Sequence, residues 1–146
     1  MPQMPAVSLV AVAGRRARTL EFAQEIERRG FSGIYSPSFG DGVGLCEALA
    51  LCTKQVTFGT SIANIYARHP YDYAASAALI HELSDGRFRF GIGVSHGPMN
   101  ERLGIHTGKP LADVRQFATR LREAEPQTGP LPPLVLATLR RRMVAL

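Results

Sequence analysis

Residues 59–103 decide the fold, and they read GTSIANIYARHPYDYAASAALIHELSDGRFRFGIGVSHGPMNERL. The part up to Ile65 is rich in β-branched side chains and predicts a strand. Residues 74–83 place apolar side chains at helical spacing, and Asp85-Gly86 predicts a turn. Residues 87–94 alternate strictly, with every even-numbered side chain apolar, which predicts another strand. The stretch therefore predicts one strand–helix–strand unit.

The same alternation continues on both sides of this unit. Strands are predicted at residues 7–13, 31–36, 56–65, 87–94 and 134–138, with four helices between them and a fifth helix from Leu139. Loops are predicted at residues 95–109 and 125–133. Such alternation implies parallel strands with right-handed crossovers, in either an open doubly wound sheet or a (β/α)8 barrel. No GxGxxG motif follows the first strand. A full barrel takes about 250 residues, so residues 1–146 hold little more than half of one, as a single domain.

Composition excludes several classes of protein. The chain carries 17 basic and 12 acidic residues, and its hydrophobic fraction of 45% is that of a globular protein. The arginines are scattered and no nucleic-acid-binding motif accompanies them, so we expect no nucleic-acid partner. No apolar run approaches the ~20 residues of a membrane span. Cys46 and Cys52 have no metal-ligand spacing, and we expect no metal site and a cytoplasmic protein.

Several motifs in a fixed order resemble one family. They are GFSGIYSP at residues 30–37, RHP at 68–70, LSDGRF at 83–88, GIGVSHGP at 91–98 and LVLATLRRRMVAL at 134–146. Together they resemble the bacterial luciferase-like monooxygenases, which include FMN-dependent and coenzyme F-420-dependent oxidoreductases. The resemblance implies an α/β fold that is a partial TIM (β/α)8 barrel: about strands 1–5 with four helices and a helix stub, truncated at its C-terminal side relative to the family.

The resemblance also implies a function. An oxidoreductase of this family performs hydride transfer or monooxygenation on a small organic substrate. The loop at residues 95–98 favours coenzyme F-420 as the cofactor, with FMN as the alternative. In the family the cofactor lies at the carboxyl ends of the barrel strands, where the βα loops of such barrels form the active site.

Candidate site residues follow from that placement. The resemblance implies cofactor-binding roles for Ile62, Ala63, Asn64, Arg68, Gly93, Ser95, Thr138 and Arg140. Ser38 and His96 are the candidate catalytic residues, and an imidazole at the mouth of a strand is suited to proton transfer near neutral pH.

Some of these residues have a structural interpretation as well. Asn64 either offers its amide to the cofactor ring or serves as a strand-end turn residue. The resemblance places a non-prolyl cis peptide near Ala63–Asn64. Gly91 and Gly93 interrupt the predicted strand at 87–94, and glycine in a strand often lets a ligand or another backbone approach closely. Arg140 either binds the cofactor phosphate or belongs to an exposed arginine turn.

The sequence departs from the family pattern in two loops. The family's F-420 dehydrogenases commonly carry an acid or a histidine after strand two, where this chain has Pro37-Ser38-Phe39. This departure argues against dehydrogenase chemistry of that kind. After strand five a glycine-containing turn is usual, and here Thr138 is followed by Leu139 and three arginines. Guanidinium groups would then replace backbone N–H groups as phosphate ligands.

Strands six to eight of the family barrel are absent from this sequence. A half-barrel leaves two open sheet edges and an uncovered apolar interior. We therefore expect a homo-oligomer, unless the chain is a truncation product or a piece of a longer protein. The alternative function is a catalytically inactive luciferase-like fragment or a flavin-binding dimer.

Overall fold

The computed structural model describes residues 4–138 and 141–145. Within these residues the chain forms six strands and six helices. The strands are β1 (Val7–Ser8), β2 (Gly33–Ser36), β3 (Thr57–Thr60), β4 (Ala63–Asn64), β5 (Phe88–Gly93) and β6 (Leu134–Leu136). The helices are α1 (Arg16–Arg28), α2 (Gly42–Cys52), α3 (Pro70–Leu83), α4 (Gly97–Arg102), α5 (Pro110–Thr128) and α6 (Arg141–Val144). None of the described helices combines the length and the apolarity that crossing a bilayer requires.

All strand pairs among the described residues are parallel, and β5 is the strand on which β3, β4 and β6 converge. β1 pairs with β2, β2 with β3, and β5 with β6. β3 and β4 both pair with β5, at Phe58↔Phe88 and at Ala63↔Ile92. They therefore act as one interrupted strand, and the predicted five-strand portion of a (β/α)8 barrel is confirmed.

The structure corrects two details of the strand predictions. The strand predicted at 56–65 is interrupted at Ser61–Ile62, and the cis peptide lies there rather than at Ala63–Asn64. The strand predicted at 7–13 has ladder pairing only over Val7–Ser8, against Ile34 and Tyr35 of β2. The backbone N–H of Leu9 donates a hydrogen bond of 3.1 Å to the Tyr35 carbonyl, which extends the contact between β1 and β2 slightly.

Two loop predictions also need correction. The predicted loop 95–109 contains the short helix α4. The predicted loop 125–133 begins with the last turn of α5, which contains Pro126. The helix ends before Gly129, whose φ is 101°. Glycine adopts this positive φ without the steric penalty that a side chain would bring.

The core lies between the sheet and helices α2, α3 and α5. Phe58, Phe88 and Phe90 are fully buried, and their adjacent ring centroids lie 5.8 and 5.9 Å apart. A Cβ on Gly91 would lie 1.8 Å from the Thr60 carbonyl oxygen, so β5 and β3 approach too closely for any side chain there. The sequence prediction of close backbone approach at this glycine is confirmed.

Arg87, from the LSDGRF motif, joins α2 to the start of β3. Its guanidinium donates hydrogen bonds of 2.8–3.1 Å to the Thr53 hydroxyl and to the carbonyls of Ala50, Thr53, Val56 and Ser84. It also lies 5.2 Å from the Phe58 ring centroid. The motif residue therefore has a structural role at the end of the sheet opposite the carboxyl ends.

Glu27, at the end of α1, accepts the backbone N–H groups of Lys54, Gln55 and Val56 at 2.6–2.8 Å. Burial of the Glu27 carboxyl raises its pKa, but the three N–H bonds and the charge of Arg87 outweigh burial and hold the pKa below its ordinary value. The ionised carboxylate thus fastens α1 to the segment between α2 and β3.

Candidate functional site

A cleft of about 350 Å³ opens at the carboxyl ends of β2, β4 and β5. Six residues predicted from sequence line it together: Ser38, Ile62, Ala63, Asn64, Arg68 and Ser95. They come from three separate strand ends and the loops beside them, because parallel strands bring their carboxyl ends to one edge of the sheet. Val43, Met99 and Leu103 add apolar wall.

Asn64 lies at the base of the cleft and is 7% exposed. Its Nδ2 donates to Asn100 Oδ1 at 2.8 Å, and its Oδ1 accepts the Tyr66 N–H at 3.2 Å. Its carbonyl accepts the Tyr73 hydroxyl at 2.8 Å. The side-chain amide of Asn64 therefore holds the segments around Tyr66 and Asn100 in place, and Asn64 also forms part of the cleft wall.

Arg68 stands at the mouth of the cleft between two carboxylates. Its guanidinium lies 3.0 Å from Asp41 Oδ1 and 3.9 Å from Asp72 Oδ2, and 5.7 Å from the Tyr73 ring centroid. These contacts orient the guanidinium and balance its charge. Burial raises the pKa of Tyr73 to about 12, although Arg68 acts in the opposite sense. Tyr73 therefore keeps its proton and remains a hydrogen-bond donor at neutral pH.

Asp41 is a cleft residue that the sequence analysis missed. It lies five residues after the end of β2, so the loop after strand two does carry an acid. Its Oδ1 also accepts the Gly44 N–H at 2.8 Å, which makes it the N-cap of α2. The available signal was this cap: an aspartate directly before an apolar helical segment.

Three predicted positions lie outside the cleft lining, and a fourth lies outside the described residues. His96 is exposed, is the N-cap residue of α4 and is not among the lining residues. Gly93 is buried below the cleft, where a Cβ would lie 3.1 Å from Ala137 Cβ and 3.3 Å from Ile62 Cγ1. Thr138 is half-buried after β6. Arg140 lies outside the described residues.

A second, smaller cleft of about 300 Å³ lies beside the first, between α3 and α5. In it the Tyr66 hydroxyl donates to Asp113 Oδ2 at 2.6 Å, and the same oxygen accepts the Gly108 N–H at 3.0 Å. Burial, followed by the bond to Asp113, raises the pKa of Tyr66.

Across the described residues, no three His, Cys, Asp or Glu side chains stand close enough to share a metal ion.

A parallel α/β sheet with a cleft at its carboxyl edge is the arrangement that the motifs predicted. The family model described as luciferase-like monooxygenase matches residues 4–146. The chain belongs to the luciferase-like monooxygenase family. The recognition made from the motifs is thereby confirmed.

Individual members of the luciferase-like family show the extent of the likeness. A 5,10-methylenetetrahydromethanopterin reductase from Archaeoglobus fulgidus is 35% identical over 75 residues, covering 51% of this chain and 23% of the relative. The coenzyme F-420-dependent tetrahydromethanopterin reductase of Methanopyrus kandleri has a TM-score of 0.69 at 18% identity, covering 81% of this chain and 39% of that one.

An FMN complex has the same fold. The oxygenating constituent of 3,6-diketocamphane monooxygenase from the CAM plasmid of Pseudomonas putida, in complex with FMN, has a TM-score of 0.68 at 17% identity. The alignment covers 83% of this chain and 39% of that structure. The chain thus spans about two fifths of the length of these solved luciferase-like proteins, and its open sheet corresponds to part of their barrel.

Proposed function

We propose that the chain binds coenzyme F-420, or FMN in its place, and contributes to an oxidoreductase that performs hydride transfer or monooxygenation on a small organic substrate. One observation carries this proposal: six positions implied by the family resemblance, at three separate strand ends and the loops beside them, line a single cleft. Membership of the luciferase-like family supports the reaction class.

The lining of the cleft suits a flat, largely uncharged ring system. Ile62, Met99 and Leu103 supply apolar surface, and the pair of Asp41 and Arg68 carries the only charges among the described lining residues. A volume of about 350 Å³ lies near the lower end of the ~300–1,000 Å³ of ligand pockets. The cleft therefore fits the ring portion of such a cofactor better than its phosphate.

A bound flavin or deazaflavin supplies the redox chemistry, and the protein supplies binding, orientation and electrostatics. In this proposal Ile62, Ala63 and Asn64 form the surface behind the ring. Arg68, held by Asp41, presents its guanidinium to a polar ring edge.

The remaining predicted roles stay part of the proposal. Thr138 and Arg140 bind the cofactor phosphate near the end of β6, with charge-assisted hydrogen bonds from the guanidinium. Ser38 and His96 serve as catalytic groups at the solvent side: Ser38 lines the cleft, and His96 is exposed next to the lining residue Ser95. We also propose a cytoplasmic location, which the free thiols of Cys46 and Cys52 support.

Fluorescence titration of the purified chain with F-420 and, separately, FMN tests cofactor binding. Ala67 lines the cleft with an exposed side chain, so Ala67→Phe fills the cleft without entering the core. Ala112→Phe, at an exposed position on α5, is the matched control. Saturable binding by wild type and by Ala112→Phe, lost in Ala67→Phe, is the expected result. Failure of wild type to bind either cofactor refutes the proposal.

The open edge of the sheet favours a second candidate, a flavin-binding dimer without catalytic activity. Val135, in the edge strand β6, is 50% exposed, and the other edge of β6 pairs with no described strand. We propose homo-oligomerisation as the means of covering this surface. Sedimentation analysis at several protein concentrations distinguishes a dimer from a monomer, and turnover by a cofactor-loaded dimer would exclude the inactive alternative.

A further inference from the structure

The segment between β5 and α5, residues 94–109, forms one wall of the cleft with few packing contacts of its own. It contributes Ser95, Met99 and Leu103 to the lining. Most of its residues from Glu101 onward are exposed. Its position therefore depends on a small number of hydrogen bonds to better-packed parts of the fold.

The first of these bonds joins the only two asparagines of the sequence. Asn64 Nδ2 donates to Asn100 Oδ1 at 2.8 Å, and Asn100 Nδ2 donates to the Val94 carbonyl at 2.9 Å. Asn100 is only 3% exposed and is not part of the cleft lining. The two amides form a directional chain from β4 to the first residue of the segment.

The second bond holds the other end of the same segment. Tyr66, two residues after Asn64, donates to Asp113 Oδ2 at 2.6 Å, and that oxygen accepts the Gly108 N–H at 3.0 Å. Asn64, at the end of β4, thus contacts the segment directly at Asn100, and Tyr66 in the β4–α3 connector holds it through Asp113 of α5, near Gly108. Tyr73 in turn fixes the connector by its bond of 2.8 Å to the Asn64 carbonyl.

We propose that Asn100 and Tyr66 are positioning residues, which together clamp segment 94–109 onto the β4–α3 connector and so place Ser95, Met99 and Leu103 against the bound cofactor. This inference rests on the proposed function for its effect on binding. Neither Asn100 nor Tyr66 is proposed to contact the cofactor. Loss of either bond lets the wall move, so that the cleft no longer fits the ring system closely.

Two variants test the clamp. Asn100→Leu keeps the approximate size but removes both the acceptor for Asn64 and the donor to Val94, and Tyr66→Phe removes one hydroxyl. Tyr71→Phe, at an exposed tyrosine whose hydroxyl bonds to none of the described residues, is the matched control for the second variant. Each protein is measured for FMN and F-420 affinity, for hydrogen–deuterium exchange across residues 97–108, and for thermal unfolding.

The expected result is a three- to tenfold weaker affinity and faster exchange across 97–108 in both variants, which is roughly the effect of one or two lost hydrogen bonds. Tm stays near that of wild type for Tyr66→Phe, and Tyr71→Phe changes none of the readouts. If Asn100 or Tyr66 had only a structural role, its variant would have a lower Tm. Its affinity for the cofactor, measured at a temperature where the variant is folded, would then equal that of wild type.

The outcomes separate the clamp from the proposed function. If wild type binds a cofactor and both variants bind it equally well, the clamp is overturned and the proposed function stands. If wild type binds neither cofactor, the proposed function fails, and the clamp is judged by exchange alone: unchanged exchange overturns it. If Asn100→Leu does not fold, Tyr66→Phe decides by the same readouts.

Discussion

Asp41 Oδ1 and Arg68 Nη2 lie 3.0 Å apart across the mouth of the cleft, and the same carboxylate oxygen caps helix α2 through the Gly44 N–H. One side chain therefore links the start of a helix to the loop that follows β4. The Asp41 side chain is 61% exposed, so the ion pair contributes little stability by itself. Its main effect is to orient the guanidinium.

Two substitutions at Asp41 separate its roles. Asn is as good an N-cap as Asp, so Asp41→Asn should leave the free energy of unfolding within about 0.5 kcal/mol of wild type. Asp41→Ala loses the cap and should cost about 1 kcal/mol. Urea unfolding of both variants measures the difference. Equal losses in the two would show that the charge pair, and not the cap, is the stabilising contact.

Arg87 is expected to be among the most sensitive positions for stability. Arg87→Met leaves buried or half-buried acceptors around Thr53 and Val56 without donors, and each such group costs roughly 1–3 kcal/mol. A total loss of about 3 kcal/mol or more is expected. Arg122→Met, at an exposed arginine of α5, controls for loss of charge. A similar small effect in both variants, measured by urea unfolding, would contradict this role.

Glu27 should make stability depend on pH in a defined direction. Its folded-state pKa lies below the unfolded value of about 4.5, so the ionised carboxylate contributes its full stability above that value. The contribution is lost as the pH falls through the lower, folded-state pKa. Glu27→Gln should be less stable than wild type at pH 7, and the gap should close in acid.

Denaturant unfolding of both proteins between about pH 3 and pH 7 checks this expectation. Glu21→Gln, at an exposed position of the same helix, is the control. A gap between wild type and Glu27→Gln that is constant over the whole range would argue against the linkage.

Gly91 and Gly97 should respond in opposite ways to the same substitution. Gly91→Ala places a Cβ 1.8 Å from the Thr60 carbonyl oxygen, so β3 and β5 must separate, at a cost of about 3 kcal/mol or more. A Cβ on Gly97 meets nothing within 4 Å, so Gly97→Ala should be neutral or slightly stabilising. Thermal unfolding compares the two. A stable, wild-type-like Gly91→Ala protein would show that the strand spacing is not as close as described.

Much of the candidate site could be predicted because parallel strands gather their carboxyl ends at one edge. Ser38, Ile62 and Ser95 follow three different strands, and they line one cleft. The orientation of individual side chains could not be predicted in the same way. His96 directly follows Ser95, yet it is exposed, precedes helix α4 and is not among the lining residues.

By itself the sequence determined the order of strands and helices, their parallel arrangement and the edge at which the site forms, because hydrophobic periodicity is a property of neighbouring residues. Tertiary structure alone decided which side chains meet. Asn64 and Asn100 are 36 residues apart, and Arg87 and Thr53 are 34 apart. Such pairs depend on strand register and helix packing across the whole fold, and no local pattern in the sequence records them.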